Sequence, residues 1–139
     1  MGNVQSMRRI NFEDMQTATK NPETYLIINT LSANEQQCLI KSTVGLDKEE
    51  TIINKYIREN KGINIVIYGK HNHDDNVQKK YQQLLSLGFY NVYAYIGGIF
   101  EWLLLQDIYG HELFPTNKKE MDLLRYKPVP VLNISLLEN

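Results

Sequence analysis

Ile63-Asn64-Ile65-Val66-Ile67-Tyr68, followed at once by Gly69-Lys70-His71-Asn72-His73-Asp74-Asp75, decides how this chain is read. The first run is β-branched or apolar at nearly every position and is bounded by Gly62 and Gly69, which is the signature of a strand buried on both faces. The second run is polar. It leads into a helix whose Val77, Tyr81, Leu84 and Leu85 recur at i, i+4, i+7 and i+8, the spacing of one buried stripe, with Gly88 as its stop.

Working outward, a strand is expected over Asn91 to Ile96, then the turn Gly97-Gly98, then a helix through Trp102 to Ile108 stopped by Gly110. Upstream, Asn11 can cap a short helix through Met15 to Thr19, ended by Asn21-Pro22. Tyr25 to Ile28 reads as a buried strand. Ser32 and Glu35 have capping-box spacing for one helical turn, and Cys38-Leu39-Ile40 reads as another short strand. Asp47 opens a helix with Ile52, Ile53, Tyr56 and Ile57 on one face, for which Gly62 is the expected stop. Strands alternating with helices of this length give an α/β domain, a central parallel sheet with helices on both faces.

The chain has 139 residues, 42% of them hydrophobic, enough for one core and too few for two ordinary domains. Its 15 basic and 16 acidic residues nearly cancel, and no basic stripe interleaved with aromatics appears, which argues against nucleic acid as a partner. A single cysteine, Cys38, excludes an internal disulfide and a cysteine-based zinc cluster. The expected setting is a reducing one, the cytoplasm. The apolar run Trp102 to Leu105 is far below the ~20 residues of a membrane-spanning helix.

The order of these features resembles the rhodanese-like family. An Ile-Val-Ile-Tyr strand, a polar loop, a helix ending at Leu87-Gly88, Asn91-Val92-Tyr93, and Gly97-Gly98 with Trp102 four residues on are similar to it in sequence and spacing, as are Tyr25-Leu26-Ile27-Ile28 and the turn Ser32 to Glu35. The similarity runs from about Arg9 to Gly110. It implies a domain over residues 9–112, an N-terminal arm over 1–8 and a C-terminal extension over 113–139. It also implies that active members carry, as the first loop residue, a cysteine whose thiolate is stabilised by backbone N–H groups and a helix dipole and carries sulfur as a persulfide. Here that position is Gly69, which has no side chain to ionise, and the Asp-Val-Arg pattern at the end of the first strand is altered to Asn29-Thr30-Leu31. The expected function is therefore a catalytically inactive binding or scaffolding module, without a cofactor.

The degenerate loop Gly69, Lys70, His71, Asn72, His73, Asp74, Asp75 retains oriented N–H groups that can hold a small anion with Lys70 and His71. One of the two aspartates is expected to cap the helix. His71, His73 and Asp74 have weak metal-ligand spacing, and a metal-assisted hydrolase using the two histidines is the alternative function, beside residual sulfurtransferase-type activity; no metal site is assigned. Cys38 reads as a small buried hydrophobe. Trp102, Tyr81, Tyr93 and Tyr95 read as core and sheet packing, and Gly97-Gly98 as a turn that lets strand and helix approach closely.

Both ends carry further signals. Thr116 can cap a short helix bearing Met121, Leu123 and Leu124. Pro128 and Pro130 force an extended path, and Val129, Val131, Leu132, Ile134, Leu136 and Leu137 are too apolar for a free tail, so this segment is expected to pack on its own domain or on a second molecule, giving a protein partner or self-association. The extension resembles those of cysteine-less members in protists and large DNA viruses, which implies a virion component as one setting. Met1-Gly2-Asn3-Val4-Gln5-Ser6 fits the N-myristoylation pattern, so Gly2 is a candidate lipidation site, with Arg8 and Arg9 behind it to favour an anionic membrane surface.

Overall fold

A computed structural model describes residues 6–132. Its core is a five-stranded, all-parallel sheet in the order β1-β5-β4-β2-β3, made by β1 (Arg9–Ile10), β2 (Tyr25–Asn29), β3 (Thr43–Val44), β4 (Asn64–Tyr68) and β5 (Val92–Tyr95). The strand with the strongest sequence signal, β4, is central and paired on both sides: Ile65 lies opposite Leu26 and Val92, and Ile67 opposite Ile28 and Ala94. Four helices, α1 (Phe12–Lys20), α2 (Leu46–Glu59), α3 (Asp75–Ser86) and α4 (Gly98–Tyr109), cover the sheet.

Alternation along β4 divides the interior in two. Val66 and Tyr68 join Met15 and Ala18 of α1 and Ile99, Trp102 and Leu103 of α4. Ile65 and Ile67 point to the other side, against Ile53 of α2 and Val77, Tyr81 and Leu84 of α3. A strand whose successive side chains enter opposite cores has no polar face to spare, which is why its sequence is a continuous apolar run and not an alternation. Trp102, Tyr81 and Tyr95 are fully buried, as expected of packing residues, and Tyr93 is half-buried.

Local signals account for most boundaries. Asn11 and Asp14 form a reciprocal capping box at the start of α1, and Ser32 with Glu35 forms another at the 3-10 turn Ala33–Glu35. Three expectations are corrected. Cys38-Leu39-Ile40 is not a strand: Leu39 and Lys41 exchange backbone hydrogen bonds with Asn117 and Pro115, and Ile40 bridges antiparallel to Thr116. Its backbone is satisfied by a segment more than seventy positions along the chain, so the sheet strand forms later, at Thr43–Val44. Thr116 does not cap a helix but is buried, its hydroxyl donating to the Lys118 carbonyl; the downstream turn is a 3-10 helix over Leu123–Tyr126 preceded by Asp122. The α2 helix ends at Glu59 with Asn60 as its C-cap, two residues before Gly62. In the C-terminal segment, expected to pack on its own domain or on a second molecule, Val129, Val131 and Leu132 are 81%, 87% and 82% exposed. Gly2, Ile134, Leu136 and Leu137 lie outside the described residues.

Candidate functional site

The C-terminal ends of β2 and β4 lie side by side, Asn29 opposite Tyr68, so the chain leaving each strand lines one cleft of about 670 Å³. Thr30, Ser32 and Glu35 come from the first strand end and Lys70, His71, His73, Asp74 and Asp75 from the second. Parallel strands deliver their loops to the same edge, which is why ligand sites of open α/β sheets form there.

Asn29 ends β2 without loss of structure. Its side-chain oxygen accepts the Leu31 N–H at 2.9 Å and the Gln36 amide at 2.8 Å, and its amide donates to the Val44 carbonyl at 3.2 Å. Loop and neighbouring strand are pinned by one buried side chain.

The loop after β4 is held between two helix N-termini. The carbonyls of Gly69 and Lys70 accept the N–H groups of Ile99 and Phe100, both at 2.9 Å, and so satisfy donors that the first turn of α4 cannot satisfy itself. This contact requires backbone to meet backbone: Gly98 has φ +70°, and a Cβ there would lie 2.6 Å from the Gly69 carbonyl oxygen. The close approach expected of Gly97-Gly98 is present.

At the other end Asp74 caps α3. One carboxylate oxygen accepts the Asn76 N–H at 3.0 Å, the ordinary cap bond, and the second reaches back across the loop to accept the Lys70 N–H at 2.9 Å. The loop N–H that follows Gly69 is thus occupied by a carboxylate of the same chain. Gly69 sits inside this arrangement. A Cβ on it would overlap Asp74 Oδ2 and come within 2.7 Å of Thr30 Oγ1 and Val77 Cγ2. Thr30 Oγ1 is itself buried with no hydrogen-bond partner among the described residues.

Lys70 and the two histidines make further contacts at the cleft. The Lys70 ammonium lies 3.2 Å from Glu35. Burial pushes the Glu35 carboxyl up, but hydrogen bonds from Ser32 and the Lys70 charge outweigh it and hold the group below its usual range. His71 Nδ1 accepts the His73 N–H at 3.1 Å, and burial, followed by the neighbouring His73 and Lys70, depresses the His71 pKa against the pull of Asp74. The two imidazoles stand edge to face, centroids 6.5 Å apart, and among the described residues no group of three or more His, Cys, Asp or Glu side chains is placed to hold a metal ion. Cys38 lies elsewhere, buried in the α1 and α4 core, its thiol donating to the Lys118 carbonyl at 3.3 Å; burial pushes its pKa up.

Asp74's second bond and the Thr30 hydroxyl under Gly69 are the site features that the sequence did not signal; an N-cap aspartate is recognisable by position, but which loop N–H its free oxygen meets depends on the fold.

The sequence profile of the rhodanese-like domain matches residues 14–105. The chain belongs to the rhodanese-like family. No curated protein sequence matches it. Among solved structures it is similar to the BH2092 protein of Bacillus halodurans, at TM-score 0.58 and 20% identity over 70% of this chain and 72% of that one. It is similar also to the rhodanese-like domain of the Anabaena Alr3790 protein, at TM-score 0.57 and 16% identity over 93% and 90%. A third similarity is to the single-domain sulfurtransferase RDL2 of Saccharomyces cerevisiae, at TM-score 0.50 and 12% identity over 74% and 94%. At these identities the likeness is one of fold. No helix among the described residues is long and apolar enough to cross a membrane.

Proposed function

We propose that this rhodanese-like chain is a non-catalytic binding or scaffolding module. One observation carries the reading: at the first loop position stands Gly69, and the Asp74 carboxylate with the Thr30 hydroxyl fills the space in which a side chain would begin. A thiolate nucleophile needs donors and positive charge around it. Here the Lys70 N–H is already taken by an anion, and the Lys70 ammonium is neutralised by Glu35. The start of the loop is thus occupied by groups of the same chain, where a nucleophile would need free donors.

The test is sulfur transfer from thiosulfate to cyanide by the purified full chain and its Cys38→Ser variant. Both are expected at the buffer rate. Turnover that disappears in Cys38→Ser would overturn the reading, because it would make the buried thiol the sulfur carrier.

The same module is proposed to be tethered through an acyl group on Gly2. A single myristoyl chain binds membranes only marginally, with a partition constant near ~10⁴ M⁻¹, so a second attraction matters. Arg8, which donates to the Tyr90 carbonyl and lies 4.8 Å over the Tyr93 ring, and Arg9 are both exposed and supply that attraction as cations. Co-expression with an N-myristoyltransferase, intact mass and liposome flotation against Gly2→Ala test this. An unmodified N-terminus would end it.

A further inference from the structure

Apolar exposure among the described residues is concentrated in one stretch of the chain. Among the described residues, nine of the twelve exposed large apolar side chains fall between Leu104 and Leu132. They comprise the outer surface of α4 and the turn after it (Leu104, Ile108, Tyr109, Leu113), the segment around the last 3-10 turn (Met121, Leu124), and the extended stretch Val129, Val131, Leu132. Exposed apolar side chains gathered in this way mark a candidate interaction site. Between α4 and the segment before the 3-10 turn runs a cleft of about 600 Å³, lined by Leu103, Asp107, Gly110, Lys119, Met121 and Leu123.

We propose that this cleft receives the arm Lys127–Leu132 of a second copy of the chain, reciprocally, in a two-fold dimer. Two features on each molecule fit each other. The arm is an extended apolar strip: Pro128 and Pro130 fix their own φ and bias Lys127 and Val129 to extended backbone, so little conformational freedom remains to be lost on docking. Its three apolar side chains are not seated in its own cleft, being more than four-fifths exposed.

The charges agree with a second copy as the occupant. Asp107 and Glu112 are exposed on the α4 side, whereas the segment from which the arm departs carries Lys118, Lys119, Arg125 and Lys127 against Glu120 and Asp122, a net basic excess. A two-fold axis that seats each arm in the other's cleft brings the acidic rim of one molecule to the basic rim of its partner, in both directions at once. The dimer does not depend on what the loop after β4 does.

Sedimentation velocity on the full chain tests the proposal. The wild type is expected to form dimers that weaken with added salt. Met121→Glu blocks the cleft and Val131→Asp blocks the arm; both sites are exposed, so each variant should keep the wild-type melting temperature and sediment as a monomer. Mixing the two variants restores one intact arm-in-cleft contact per pair, and a heterodimer weaker than the wild-type dimer should appear. A monomeric wild type overturns the proposal, including the case in which Val131→Asp lowers its melting temperature because the arm covers its own cleft. So does a dimer indifferent to both substitutions, or variants that do not pair when mixed.

Discussion

Gly69 and Cys38 divide between them what a cysteine enzyme unites. Gly69 stands at the carboxyl end of the central strand, where chemistry in such folds gathers, and carries no group that could perform it. Cys38 carries the group but lies in the core, 3% exposed, its thiol bonded to a carbonyl of the C-terminal segment. One residue links them: Tyr68, immediately before Gly69, accepts the Ile40 N–H at 3.0 Å through its buried hydroxyl and shares a 2.9 Å hydrogen bond with Thr43. The loop therefore rests on the Cys38 segment as part of a fixed scaffold. Position and reactive group are separable, and a fold can keep the first while using the second as filler.

The largest effect is expected from prying the loop off α4. Gly98→Ala places a Cβ at φ +70° and 2.6 Å from the Gly69 carbonyl oxygen. The left-handed backbone costs about 1–3 kcal/mol, and the overpacked contact about 1–3 kcal/mol more. Urea unfolding should show the sum, while the fluorescence of Trp102, buried one turn away, reports whether α4 has shifted.

Next comes the attempt to merge the two regions. Gly69→Cys alone should destabilise by about 1–3 kcal/mol, because its Cβ meets Asp74, Thr30 and Val77. It should also remain inactive in sulfur transfer, since the thiol is placed beside a carboxylate that disfavours its thiolate. Asp74→Ala removes a cap for about 0.5–2 kcal/mol. Joined to Gly69→Cys, it should cost less than the sum of the two, because it removes the clash as well as the cap. Strict additivity would show that Asp74 is not what excludes a side chain at 69.

These sites also show what a sequence can and cannot disclose. Ile63 to Tyr68 was legible as the central strand because burial on both faces writes itself as an uninterrupted apolar run, and the missing loop nucleophile was legible because Gly69 directly follows that run. Cys38-Leu39-Ile40 was misread because three apolar residues look the same whether a strand or a distant segment covers them; their partners, Pro115 to Asn117, lie across the whole domain. Asp74 as a cap followed from position, whereas its bond to the Lys70 N–H did not.

Cys38 sharpens the comparison through reactivity. With its thiol pKa raised by burial, alkylation at neutral pH should be slow until the chain unfolds, and should accelerate with urea along the unfolding transition. The folded state holds this proton more tightly than the unfolded chain. The stability it contributes is therefore complete below the unfolded value of 9.0 and declines as pH rises through the higher folded value.

The loop responds at the opposite end of the scale, and by less. Glu35 has its pKa lowered from 4.5: burial pushes it up, but Ser32 and Lys70 prevail. Here the unfolded chain binds the proton more readily, so the contribution is present above 4.5 and is lost as pH falls through the lower folded value. Because the Lys70 side chain is 39% exposed, solvent screens the pair, and Glu35→Gln should cost only about 0.2–1 kcal/mol at neutral pH. The diagnostic is the shape of the difference: the gap between wild type and Glu35→Gln should close on acidification, shrink in high salt, and leave the alkaline arm set by Cys38 unchanged. A gap that persisted below the folded pKa would mean that the Ser32 to Glu35 turn, and not the charge on Lys70, is what Glu35 supports.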